Sequence, residues 1–207
     1  MNAWKGWTGV NVVPINTGEQ LPMGETVPED LFRPQLGEPH HCAYVVEDIE
    51  ATVNRLVDQL GAGPFFLIEN VPLENVLSRG EPAEFVHNSA FGYCGDGAIE
   101  LMEAVSLAPE RVEKAFSAPR PRIHHVAYVV PPTEVDDLRR SLDERGLSQY
   151  LSSQLGEVET TLHDASAALG HDIEIHGDNK GLHDFFGMVR GGAQGWDGSH
   201  PLRPVES

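Results

Sequence analysis

The sequence predicts an α+β fold in which two tandem βαβββ modules build one curved, barrel-like sheet. Three observations carry that reading. The heptapeptide His40-His41-Cys42-Ala43-Tyr44-Val45-Val46 returns as His124-His125-Val126-Ala127-Tyr128-Val129-Val130, identical at six of seven positions after an offset of 84 residues. Each copy is followed by an amphipathic helical pattern and then by three extended segments. Each series closes on a similar strand, Ala98-Ile99-Glu100-Leu101 in the first and Asp172-Ile173-Glu174-Ile175 in the second.

In chain order, residues 1–37 are rich in Gly, Pro, Asn and Thr and read as an N-terminal extension, an arm with little periodicity. The first module spans 38–104. After its opening strand, Asp48 is placed to cap a helix whose apolar positions are Ile49, Val53, Leu56, Val57 and Leu60, with Gly61 as its stop. Strands are expected at 65–71, 84–93 and 98–103. A linker over 105–120 holds a short helix at 109–116 and the stiff run Ala118-Pro119-Arg120-Pro121. The second module spans 121–178, with Thr133 capping a helix of Val135, Leu138 and Leu142 that Gly146 stops. Its strands are expected at 149–155, 158–164 and 172–176. The C-terminal extension, 179–207, carries Leu182, Phe185, Phe186, Met188 and Val189, a pattern expected of a helix packed onto the sheet.

Composition narrows the function classes. Among 207 residues, 14 Lys and Arg face 32 Asp and Glu, for a net charge of −18. A nucleic-acid or anionic-membrane partner needs clustered cations and is not expected. No stretch approaches the ~20 apolar residues of a membrane-spanning helix, and Met1 to Val13 lacks the pattern of a signal peptide. A soluble cytoplasmic protein is the expectation. The two cysteines, Cys42 and Cys94, lie in apolar strand-like segments and read as buried thiols.

With a helix over one face of each module, the other face is left to line a trough suited to a ligand. The repeat puts a His pair on the first strand and a Glu on the last strand of each module. Neighbouring residues of a strand point to opposite faces, so one member of each His pair is expected in the trough. The His-to-Glu interval is ten residues longer in the first module, a difference assigned to a longer loop around Glu74–Pro82. Two imidazoles and two carboxylates converging from symmetric modules suit one borderline divalent ion such as Zn, Co, Ni, Mn or Fe. A Glu between Ile99 and Leu101 needs a partner to stay charged when buried, and a metal is one. Of the remaining histidines, His87, His163, His171, His183 and His200 read as surface or supporting residues. His176, two positions beyond Glu174 and on the same face, is the best further candidate. Phe65, Phe66, Phe85, Phe91 and Tyr93 read as apolar trough walls that favour a carbonyl compound with a hydrophobic body.

These strand motifs, over about residues 38–178, resemble the vicinal oxygen chelate superfamily, which includes glyoxalase I, methylmalonyl-CoA epimerase, extradiol dioxygenases and the bleomycin- and fosfomycin-resistance proteins. The resemblance implies His41, Glu100, His125 and Glu174 as metal ligands, with His40 and His124 pointing away toward the helix layer or a subunit contact. It also implies chelation of vicinal oxygens of a small-molecule substrate, and proton abstraction next to a carbonyl by Glu100 or Glu174 acting as base. Methylmalonyl-CoA epimerases usually carry Gln where Glu100 stands, while bacterial glyoxalase I commonly shows the His-Glu-His-Glu set. The expected activity is a metal-dependent isomerase, epimerase or lyase. The alternatives are an Fe(II) extradiol-type dioxygenase using His41, His125 and Glu174, and a metal-free binding or resistance protein. A homodimer is compatible with both module halves lying on one chain.

Overall fold

The computed structural model describes residues 36–116 and 120–205. The arm expected over 1–37 therefore lies, up to residue 35, outside the described residues, as does part of the expected Pro-rich connector.

The opening strand of the first repeat is β1 (Pro39–Val45), followed by α1 (Ile49–Leu60) and β2 (Phe65–Ile68). Then come β3 (Glu74–Ser78), β4 (Glu81–Pro82), β5 (Glu84–Cys94) and β6 (Gly97–Ala108). Helix α1 starts and stops where the sequence indicates. The Asp48 side chain accepts from the Ala51 N–H at 2.8 Å, and Gly61 takes a left-handed φ of 64° that residues with a Cβ adopt at a cost. The α1 N-terminus gains a second acceptor in Glu103, which takes the Ile49 N–H at 2.9 Å.

After the short α2 (Glu110–Phe116), the second repeat runs β7 (Arg122–Val130), α3 (Val135–Glu144), β8 (Gln149–Leu155), β9 (Val158–His163), α4 (Ser166–Leu169) and β10 (Asp172–Gly177). Thr133 does not cap α3. Glu134 donates its N–H to the Pro131 carbonyl at 2.8 Å, which places Thr133 inside a turn entered from the Pro131-Pro132 pair. Glu134 occupies the cap position without a side-chain cap bond. The chain closes with α5 (Lys180–Ala193) and β11 (Leu202–Pro204).

The described strands form one sheet in the order β11-β2-β5-β6-β1-β7-β10-β9-β8-β3-β4. Its centre is the antiparallel pairing of β1 with β7, the two copies of the repeat. Each is flanked by the parallel last strand of its own series, β6 beside β1 and β10 beside β7. The convex face packs under helices, with Ile99 and Leu101 against α1 residues and Ile173 and Ile175 against α3 residues. Strand alternation then turns Glu100 and Glu174 to the concave face.

Two additions extend this frame. The segment around Glu74–Pro82, expected as a loop, forms β3 and β4, and β3 pairs with β8 of the second series. The Gly-rich C-terminus returns as β11, parallel to β2 at the far edge. Cys42 and Cys94 are free thiols, half-buried rather than fully buried. Among the described residues no helix is long and apolar enough to cross a membrane.

Candidate metal centre

The concave face gathers His41 from β1, Glu100 from β6, His125 from β7 and Glu174 from β10. One ligand atom from each lies within 4.8 Å of the others, and all four side chains are buried. His41 Nε2 stands 3.3 Å from Glu100 Oε2 and 3.5 Å from Glu174 Oε2. His125 Nε2 stands 3.5 Å and 3.0 Å from the same two oxygens. These are the separations expected of neighbouring ligands around one ion with bonds of ~2.0–2.2 Å. Neither Nε2 makes a hydrogen bond of good geometry, although both are buried. A buried polar atom left in that state is costly unless something binds it.

The electrostatics also ask for a cation. Burial opposes charge on both carboxylates, yet the facing imidazoles hold Glu100 and Glu174 well below the usual carboxylate range. Burial likewise opposes a charged His125, but Glu174 and Glu100 outweigh it and push its pKa up to about 10. His41, where burial dominates, is lowered. Two carboxylates and two neutral imidazoles around a divalent ion sum to zero, so a metal would neutralise what a proton on His125 compensates only in part.

The His pairs depart from simple alternation. In the β1–β7 ladder, Pro39 faces Tyr128 and His41 faces Ala127, so His40 is an extra residue; Ala43 faces His125 and Tyr44 faces Ile123, so His124 is another. These two bulges bring consecutive side chains together. His40 Nδ1 lies 3.0 Å from His41 Nδ1, and His124 Nδ1 lies 2.9 Å from His125 Nδ1. With a ligand Nε2 offering its lone pair to a metal, each ligand Nδ1–H donates to the preceding His. The outer rings do not point away to the layer of α1 and α3: His40 packs on Phe186 of α5, which lines the cavity, and His124 on Phe116 of α2, with centroids 4.4 and 4.6 Å apart, because each bulge keeps the ring beside its neighbour.

The carboxylates are supported differently. The Ser89 hydroxyl donates to Glu100 Oε1 at 2.6 Å. His176 Nε2 lies 2.8 Å from Glu174 Oε2, and its Nδ1 lies 2.9 Å from the Thr160 hydroxyl. His176 thus stands where its spacing from Glu174 put it. Ser89 carried no sequence signal beyond its place on an alternating strand.

The four groups face a cavity of about 410 Å³. Phe85 and Phe91 line it, but Phe65, Phe66 and Tyr93 do not. Phe65 is instead fully buried in the core beneath α1, because strand alternation turns it to the helix face. The missing wall comes from Leu182, Phe185 and Phe186 of α5, a helix that both packs on the sheet and roofs the site. His87 and His163, read as surface or supporting residues, are both buried, His87 in the cavity wall and His163 in the interior with the Leu147 carbonyl.

Residues 40–160, more than half of the chain, match the family model described as Glyoxalase/Bleomycin resistance protein/Dioxygenase superfamily. A search of the curated proteins returned no match. Similar solved structures include methylmalonyl-CoA epimerase from Mycobacterium tuberculosis, 18% identical with a TM-score of 0.46, covering 70% of this chain and 91% of that one. A hypothetical protein from Bacillus halodurans is 19% identical with a TM-score of 0.46, covering 69% and 95%. Streptomyces coelicolor methylmalonyl-CoA epimerase in complex with 2-nitronate-propionyl-CoA is 16% identical with a TM-score of 0.40, covering 69% and 97%. Likeness at this level carries no argument about activity.

Proposed function

The chain belongs to the glyoxalase/bleomycin resistance protein/dioxygenase superfamily, and on that premise we propose that it is a divalent-metal-dependent isomerase, epimerase or lyase that removes a proton beside a carbonyl. The observation that carries this reading is the convergence of two buried imidazole Nε2 atoms, both short of partners, with two buried carboxylates. His41, Glu100, His125 and Glu174 would hold the ion. When bound, a divalent ion supplies Lewis acidity that stabilises negative charge growing on a substrate oxygen.

The protein groups have distinct tasks. Glu100 is fastened through both oxygens, Oε1 by Ser89 and Oε2 beside His41 and His125. Glu174 has its contacts with His41, His125 and His176 concentrated on Oε2. Its Oε1 has no hydrogen-bond partner among the described residues, which makes Glu174 the base that takes the carbon-bound proton. Glu174 can then return the proton it has taken to another face or atom of the substrate, while Glu100, fastened on both oxygens, holds the ion. Phe185 and Phe186 of α5 give the site an apolar wall on this side.

The test is solvent exchange. Full-length protein reconstituted with Zn, Co, Ni, Mn or Fe is incubated in D2O with small α-hydroxy ketones, and loss of the α-proton signal is followed by NMR. Metal-dependent exchange that Glu174→Gln abolishes is the expected result. Exchange that is equal without metal overturns the reading, and oxygen uptake by the Fe form replaces it with dioxygenase chemistry.

A further inference from the structure

The cavity wall has a composition of its own. Away from the metal-centre groups it is mostly aliphatic and aromatic, with Ser153, Thr160 and Asn179 as polar members beside His87, and among the described residues no Lys or Arg lines it. Several described cations elsewhere are engaged by acids: Arg111 with Asp164 at 2.7 Å, Arg139 with Glu159 at 3.0 Å, Arg190 with Asp96 at 2.8 Å. The charged residue of the lining outside the centre is Glu157, exposed in the turn between β8 and β9 at the mouth. An anionic substrate would cross a carboxylate at the entrance of a protein with net charge −18 and find, among the described lining residues, no Lys or Arg to pair with charges that lie away from the metal centre.

Within the wall lies one feature the proposed chemistry does not use. His87 of β5 lines the cavity, is 4% exposed, and stacks on Phe85 with ring centroids 4.3 Å apart. Its Nδ1 is buried without a hydrogen-bond partner. Burial keeps the ring neutral, with Glu100 and the Phe85 carbonyl pulling the other way. A neutral imidazole in an apolar wall offers one donor and one acceptor and no charge. It matches a hydroxyl or carbonyl and leaves phosphates and carboxylates without compensation.

Resting on the function proposed above, we infer that the substrate is an uncharged vicinal-oxygen compound with a hydrophobic body, and that His87 hydrogen-bonds a polar group on that body. The cavity, at about 410 Å³, lies in the lower part of the ~300–1,000 Å³ range of small-molecule pockets. A compact aryl or alicyclic ketol fits this description. A coenzyme A thioester or a glutathione conjugate does not, because its charges would need anchors outside the lining.

The test compares probes on Zn-reconstituted full-length protein by calorimetry, with Zn content measured on the same samples. The probes are 2-hydroxyacetophenone as the neutral ketol, and S-lactoylglutathione and methylmalonyl-CoA as the charged conjugates. The neutral ketol is expected to bind at least about tenfold more tightly than either conjugate, with an affinity that salt leaves unchanged. His87→Leu should weaken ketol binding about tenfold, and His87→Gln should recover part of that loss at unchanged Zn content and melting temperature. Tighter binding of either conjugate, weakening as salt rises, overturns the inference in the wild-type protein without recourse to a variant. Unchanged ketol binding by folded His87→Leu overturns the role of His87. A chain that takes up no Zn or other divalent ion overturns the proposed function and this inference together. A Zn-loaded chain that prefers the conjugates overturns this inference alone.

Discussion

The first and second repeats bring the same pair of side chains to the centre, but they hold them in different ways. In the first, Glu100 is clamped by the Ser89 hydroxyl at 2.6 Å, and the bulged His40 remains half-buried, its pKa lowered to about 4 by burial and by His41. In the second, Glu174 leans on His176, which is tied in turn to Thr160, and the bulged His124 is only 1% exposed. The imidazoles divide the same way. Burial lowers His41, while the carboxylates raise His125 to about 10. Under the proposed function, the repeat duplicates a ligand pair while the surroundings suit one half to anchoring and the other to proton transfer.

The sharpest way to break that asymmetry is to exchange the two carboxylates' roles. Glu174→Gln should reduce kcat by roughly 10²–10⁴, the usual contribution of a positioned base. Glu100→Gln should chiefly weaken metal retention. Equal losses of kcat in the two variants, measured by α-proton exchange on metal-loaded samples, would erase the distinction between the halves.

The supports come next. His176→Ala and Ser89→Ala should each lower metal affinity about 10–100-fold, read by competition with a chelating dye. His176→Ala should also disturb turnover of the loaded enzyme, because its partner is the proposed base, whereas Ser89→Ala should leave kcat nearly intact once the ion is bound.

Acidity sharpens the contrast further. His125 has a folded pKa raised to about 10 in the metal-free chain. Its contribution to metal-free stability is full below the ordinary His range near pH 6.5 and is lost as pH rises through about 10. The depressed Glu100 and Glu174 have the opposite sign: their contribution is present above the ordinary carboxylate range and is lost on acidification. Metal must displace the His125 proton, so affinity should rise up to about tenfold per pH unit between pH 7 and 9. Calorimetry in buffers of different ionisation enthalpy should register about one proton released per ion bound. A flat affinity profile would contradict the raised His125.

The smallest effect falls on the outer histidines. His124→Ala empties a fully buried ring site beside Phe116 and should cost about 2–4 kcal/mol in urea unfolding. His40→Ala, on a half-buried ring, should cost about 1 kcal/mol or less.

Most of this architecture was legible because local chemistry and tertiary role coincide. Asp48 and Gly61 mark the ends of α1, and the duplicated heptapeptide marks the two central strands. The closing strands show a lone Glu amid aliphatic residues, and alternation alone carries His176 to the side of Glu174. What stayed hidden depends on partners distant in sequence. The strand at Glu74–Ser78 exists because β8 offers it an edge, and Leu202–Pro204 because β2 does. The bulges at His40 and His124 are a property of the β1–β7 register, so alternation, which would turn each outer ring to the opposite face, gives no hint that it stays beside its neighbour with the Nδ1 atoms paired. Phe65 faces the helix layer and not the trough for a related reason: its face is set by where β2 meets α1. The apolar pattern of α5 marked a packed helix, and nothing in it showed that Phe185 and Phe186 also close the cavity.

The most direct test is elemental analysis of untagged, full-length protein purified without added metal, then repeated after incubation with each of Zn, Co, Ni, Mn and Fe. The account predicts about one equivalent of a divalent ion per chain, lost in His125→Ala. Protein that retains none of these ions under any of the conditions would contradict it.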